Sequence, residues 1–178
     1  MSDQKENILN IAQHLTQVHG LNGFSYIDIS NKIGIKTSSI HYYFKTKEDL
    51  IIALIKRYSR ELKLKLDFID SRTTIPVEKL IKFSEIFKDL ASTKDKFCLC
   101  GMMAAELATL SEESQRELVL YFQSCEEWLF KIFSLQGSKR PEADAKAYLS
   151  LLEGVLLIAR VKGQPKMIDE VTHAFISK

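Results

Sequence analysis

The stretch Gly23-Phe24-Ser25-Tyr26-Ile27-Asp28-Ile29-Ser30, continued by Ile33-Gly34-Ile35-Lys36-Thr37-Ser38-Ser39-Ile40-His41-Tyr42-Tyr43-Phe44-Lys45-Thr46-Lys47-Glu48-Asp49-Leu50, decides the fold. Three helix starts fall within it. Ser25, with Asp28 three residues on, is a capping pair. Ile29 and Ile33 then share a face, and Gly34 ends this short helix because a residue without a Cβ takes the left-handed conformation cheaply. Thr37 caps a second helix over Ser38 to Phe44. Thr46-Lys47-Glu48-Asp49 is another capping box and opens a third, longer helix. Two short helices joined by a tight glycine-containing turn form a helix-turn-helix.

Helical spacing divides the Thr37 to Phe44 segment. Ile40, Tyr43 and Phe44 point to the core, which leaves Ser38, Ser39, His41 and Tyr42 outward. A helix that enters a DNA major groove, about 12 Å wide, needs small or hydrogen-bonding outward residues. Its N-terminal end also carries the positive end of the helix dipole.

Outward from this segment the chain reads as helices throughout. Upstream, Ile8, Ile11, Ala12, Leu15 and Val18 recur at helical spacing until Gly20. Downstream, Leu50, Leu54, Tyr58, Leu62, Leu66 and Ile69 form the stripe of a helix running to about Asp70. Pro76 opens one with Leu80, Phe83, Phe87 and Leu90. Cys98 to Leu110 is nearly apolar and predicts a helix buried on most sides. Ser111 caps the next, with Leu118, Phe122, Cys125, Leu129 and Phe133 inward until Gly137. Pro141 starts another through Leu149, Leu152, Leu156 and Ala159, and Gly163-Gln164-Pro165 separates it from a last helix with Ile168, Val171 and Phe175. The reading is all-α with about nine helices: a three-helix N-terminal helix-turn-helix domain over residues 1–48 and a C-terminal helical bundle over 49–178.

Composition narrows the function. The polar start, Met1-Ser2-Asp3-Gln4-Lys5-Glu6, does not read as a signal peptide, and no run of about 18 apolar residues suggests a membrane span. Three cysteines without a secretory signal predict reduced thiols and a cytoplasmic protein. Residues 1–66 hold ten Lys/Arg against six Asp/Glu, a surplus of +4, while the remainder holds fifteen against seventeen. A basic head suits a polyanion. The histidines His14, His19, His41 and His173 sit in separate contexts, and no nucleophile elbow, phosphate loop or metalloprotease motif is present, so no enzyme is expected. Neither a cofactor nor a metal is expected, since the cysteines fall short of a zinc set.

The quoted stretch resembles the TetR/AcrR family of transcriptional repressors over roughly the first third of the chain. It shares the Asp-Ile pair, the Gly-Ile turn, the aromatic tail ending in Tyr-x-Phe, and the Lys-Glu-x-Leu type of fourth-helix start. Ser30 stands where alanine is usual, and His41 where tyrosine is commonest. The resemblance implies phosphate contacts from Ser25, Tyr26 and Lys47, and a recognition surface of Lys36, Thr37, Ser38, Ser39, His41 and Tyr42. It also implies a homodimer on a palindromic double-stranded operator, released by a small-molecule effector.

In the body, the resemblance implies a ligand pocket enclosed by the fifth to seventh helices. Phe83, Phe87, Met102, Met103, Phe122, Cys125 and Trp128 supply lining or ordinary core. Glu106, alone in an apolar stretch, either selects a cationic or hydrogen-bonding effector or faces solvent or an arginine. Leu149, Leu152, Val155, Leu156 and Ala159, with Gly154 beside them, are the expected dimer stripe. Cys98 and Cys100 read either as an oxidant sensor or as small apolar filler. Two alternatives stand beside the repressor: a helical ligand-binding or scaffold protein without DNA binding, and an activator.

Overall fold

A computed structural model of the chain describes residues 3–93 and 96–177; Met1 and Ser2 of the polar start lie outside the described residues. Those residues form nine α-helices and two short 3-10 turns, with no strand among them. In chain order they are α1 (Asp3–His19), a 3-10 turn (Leu21–Gly23), α2 (Tyr26–Ile33), α3 (Thr37–Tyr43), α4 (Lys47–Arg72) and α5 (Pro76–Ser92). Then come α6 (Leu99–Ala105), a second 3-10 turn (Leu107–Thr109), α7 (Glu112–Leu135), α8 (Pro141–Lys162) and α9 (Met167–Ile176). The all-α expectation holds. No helix among the described residues is long and apolar enough to cross a membrane.

Two local expectations change. α3 begins at Thr37 itself, with Lys36 in the cap position. The buried helix expected over Cys98 to Leu110 is only seven residues long. It breaks at Glu106, and Ala104, Ala105, Leu107 and Ala108 beyond its core face are exposed. At the break, Glu106 turns its carboxylate to the backbone N–H groups of Leu21 and Asn22.

The chain forms two compact units. The first contains the residues up to Arg60 together with Leu99–Leu120; the second contains Glu61–Cys98 and the chain from Tyr121 on. Neither is a continuous stretch of sequence. In the first unit Ile8, Ala12, Ile29, Ile40, Leu50 and Leu54 are fully buried, and α1 packs on α2 and α6. Arg57 of α4 is buried as well, and its guanidinium reaches Asn10 Oδ1 at 2.8 Å, the Leu9 carbonyl at 3.2 Å and Glu6 at 3.3 Å. A charge taken out of water is tolerated there because several oxygens surround it.

In the second unit α5, α8 and α9 pack together. Tyr148 is fully buried and donates its hydroxyl to the Leu80 carbonyl at 2.9 Å. The rings of Phe83, Phe133 and Phe175 surround it at centroid distances of 6.4, 5.9 and 5.3 Å. α8 has apolar residues on both faces. Its inner face carries Leu149, Leu152, Val155, Leu156 and Ala159, none more than 5% exposed within a single protomer. These five were the expected dimer stripe, and the structure spends them on the protomer's own core. The opposite face leaves Leu157 54%, Ile158 49% and Val161 88% exposed, in line with Ala143, Ala147 and Gly154.

Candidate nucleic-acid interface

The local chemistry that builds the helix-turn-helix is visible bond by bond. Ser25 donates its backbone N–H and its hydroxyl to Asp28 Oδ2, each at 2.7 Å. Those two bonds, the hydroxyl's first, hold the Asp28 carboxyl below the usual carboxylate range. Gly34 takes φ +78° and donates its N–H back to Ser30, which turns the chain toward α3. Thr46 and Asp49 bond reciprocally, at 2.9 and 3.1 Å, at the start of α4. The Asp49 carboxyl is lowered by the same partner.

This scaffold presents a polar surface. Ser25, Lys36, Ser38, His41 and Tyr42 are exposed, Tyr42 at 81%, while Thr37 and Ser39 are half-buried. Ile40 and Phe44 are buried beneath them. Tyr26 joins the surface by its ring, edge-on to His41 with centroids 4.8 Å apart. Its hydroxyl, however, is directed at the carbonyls of Phe44 and Thr46, and burial, with Asp49 adding to it, pushes its pKa up to about 12. Tyr26 is therefore a neutral strut between α2 and the end of α3.

Lys47 is also engaged internally. Its Nζ donates to the carbonyls of Leu21 at 2.7 Å and Phe24 at 2.8 Å, and lies 4.6 Å from the centre of the Phe24 ring. Burial lowers its pKa, against the pull of Glu106 and Asp28. Exposed residues on these elements that escaped the sequence reading include Lys45, after α3, and Asn31, Lys32 and Ile27 on α2, Ile27 at 62%. Ile27 could have been found, since it lies off the face shared by Ile29 and Ile33.

A helix-turn-helix with a polar second helix, carried by an otherwise all-helical chain, defines a DNA-binding transcriptional regulator. Residues 8–54 match the model of bacterial regulatory proteins of the tetR family. The TetR transcriptional regulator of Legionella pneumophila superposes with a TM-score of 0.93 at 34% identity, over 99% of this chain and 97% of that one. A TetR-family regulator from Agrobacterium tumefaciens gives 0.92 at 27% identity, over 98% and 96%. The transcriptional regulator AcuR of Cereibacter sphaeroides is 23% identical, over 92% of this chain and 78% of that protein. The chain belongs to the TetR family of bacterial regulators.

The residues expected to line one effector pocket are divided between the two units. Met102, Met103 and Glu106 belong to the first; Phe83, Phe87, Phe122, Cys125 and Trp128 belong to the second. In the second unit Phe83 stacks on Trp128 at 5.6 Å and 25°, and Trp128 donates its indole N–H to Asp70 at 3.0 Å. Asp70 is also paired with Lys79. Cys125 is 1% exposed; burial, then the nearby Glu153, pushes its thiol up to about 12. Cys98 and Cys100 are buried too, and all three are thiols rather than disulfides. A buried thiol with a raised pKa, as at Cys125, is a poor nucleophile.

Sequence reading missed Glu153. It sits on α8 near Cys98 and Cys125, burial raises its carboxyl pKa, and its enclosed Oε1 has no hydrogen-bond partner among the described residues. Its position one residue from the inner stripe was the available signal. Among the described residues no group of three or more His, Cys, Asp or Glu is placed to hold a metal.

Proposed function

We propose that this regulator is a cytoplasmic, ligand-released repressor that binds a palindromic operator as a homodimer. The observation that carries the reading is the exposed set on α3, Lys36, Ser38, His41 and Tyr42, standing on a frame whose own polar groups are internally satisfied. Ser25 and Lys36 contact phosphates, joined by Thr37 and Ser39 at the edge of the surface. Tyr26 and Lys47 act by holding the frame. Two such heads reach successive major grooves about 34–36 Å apart, which requires a two-fold operator.

The dimer reading is supported by the outer face of α8. Exposed Leu157, Ile158 and Val161 in line with Ala143, Ala147 and Gly154 form an apolar strip that a soluble monomer has no reason to keep. The effector reading is supported by the aromatic interior of the second unit around Phe83 and Trp128, with Glu153 as an enclosed polar group. No catalytic role is assigned to any of these residues.

The test is binding of the purified protein to DNA from upstream of its own gene, with the stoichiometry read by native mass spectrometry. Two chains per palindromic site, and a fall in expression from that promoter when the protein is supplied, are expected. One chain per site sinks the dimer; a rise in expression makes the protein an activator; no DNA binding leaves a helical ligand-binding protein.

A further inference from the structure

His41 stands exposed on α3, with Nδ1 3.1 Å from the carbonyl oxygen of Lys45. A carbonyl oxygen only accepts, so this contact places a proton on Nδ1. The ring is also held edge-on by Tyr26, at 61° and 4.8 Å between centroids. Tyr26 cannot swing away cheaply, because its hydroxyl is anchored on the Phe44 and Thr46 carbonyls. The imidazole is thus fixed in both orientation and tautomer. In the neutral ring Nε2 then carries a lone pair, and it is the side chain's remaining polar atom.

We propose that Nε2 of His41 is a base-reading acceptor, which takes a hydrogen bond from the exocyclic amine of adenine or cytosine on the major-groove edge. The inference rests on α3 being the DNA-reading helix and adds which atom reads and what it selects. Of the four bases, only adenine N6 and cytosine N4 offer a major-groove donor. Guanine presents N7 and O6, both acceptors, and thymine presents O4 and a methyl group. Each would face the Nε2 lone pair with another lone pair or with carbon. The groups that face the ring are Tyr26 from α2 and Lys45 after α3, with Asp49 of α4 acting on Tyr26.

The experiment begins with selection of operators from random duplex DNA by the full-length protein at about pH 8. Selection is repeated with His41→Ala, and the base pair whose preference this variant loses is the one His41 reads. Every Watson–Crick pair carries one such amine, on adenine or on cytosine, so the amine of that pair is what the next step removes. Replacing the base by its analogue without the amine, purine for adenine or 2-pyrimidinone for cytosine, should weaken the wild type by about 5- to 100-fold. His41→Ala should bind both duplexes equally. His41→Gln, whose amide oxygen reaches the Nε2 position, should restore the preference, and His41→Asn, which reaches only the Nδ1 position, should not. Unchanged wild-type affinity when the amine is removed from that pair, or an equal loss on all sequences with His41→Ala, overturns the assignment while leaving DNA binding intact. Failure of the wild type to enrich any sequence overturns the DNA-reading function itself.

Discussion

Glu106 holds Asn22 twice, accepting from its backbone N–H at 3.1 Å and from its side-chain amide. The same carboxylate takes the Leu21 N–H at 2.7 Å. Lys47 Nζ holds the carbonyls of Leu21 and Phe24. The turn between α1 and α2 is therefore pinned by a carboxylate on its N–H groups and an ammonium on its C=O groups. Gly20 is needed at its start for two reasons. Its φ of +78° with ψ 172° is a conformation essentially reserved for glycine, and a Cβ there would lie 2.5 Å from Glu106 Oε1.

That double requirement makes Gly20 and Glu106 energetically coupled. Glu106→Ala should cost about 1–3 kcal/mol in urea denaturation, as N–H groups lose their acceptor. Gly20→Ala should cost at least as much in the wild type, but less in the Glu106→Ala background, where only backbone strain remains. Additivity of the two changes, within about 0.5 kcal/mol, would show that the carboxylate does not crowd the turn.

Lys36 and Lys47 should separate in a salt titration of operator binding. Lys36 is an exposed cap residue. Lys36→Ala should weaken binding to all sequences and flatten the salt slope by about one unit. Lys47→Ala should also weaken binding, but with the slope unchanged and the melting temperature lowered, because its donors serve the turn. A flattened slope for Lys47→Ala would return it to the phosphates.

The two faces of α8 should respond differently to substitution. Leu152 is 0% exposed, and Leu152→Ala should destabilise the protomer by about 2–5 kcal/mol through lost burial and a cavity. Val161→Glu, on the 88% exposed site, should leave the helical fold intact and yield a monomer by sedimentation, with operator affinity reduced. A dimeric Val161→Glu would move the interface away from this face.

Glu153 should make stability depend on pH. Burial raises its carboxyl pKa, so the folded state holds this proton more tightly than the unfolded one. The contribution is fully present below the unfolded carboxylate range and is lost as pH rises through the raised value. Glu153→Gln should therefore stabilise the protein by about 1 kcal/mol at pH 8 and by little near pH 4. An equal effect at both pH values would mean that Glu153 keeps the same charge in the folded and unfolded states.

The sequence was most informative where the structure is local. Ser25 with Asp28, Gly34, and Thr46 with Asp49 are short-range devices, and each forms as its spacing predicts. Amphipathic period separated buried Ile40 and Phe44 from exposed His41 and Tyr42 for the same reason. Long-range partners were not legible. Nothing near Glu106 announces a hydrogen bond to residue 21, and nothing near Lys47 announces carbonyl acceptors more than twenty residues away. α8 misled because a helix apolar on both faces has no period that says which face is spent inside.

The DNA-binding head is closed by Leu99–Leu120, after the intervening residues 61–98. On a ribosome adding about 5–20 residues per second, α1 to α3 would emerge some seconds before Glu106 and the fully buried Met103. A gene cut after Arg60 would encode every residue proposed to read bases, yet yield a turn without its carboxylate and an α1 without α6 beside it. The proposed reading surface and part of the unit that holds it lie in different parts of the message, so a graft of this head should carry Leu99–Leu120 as well as the N-terminal residues.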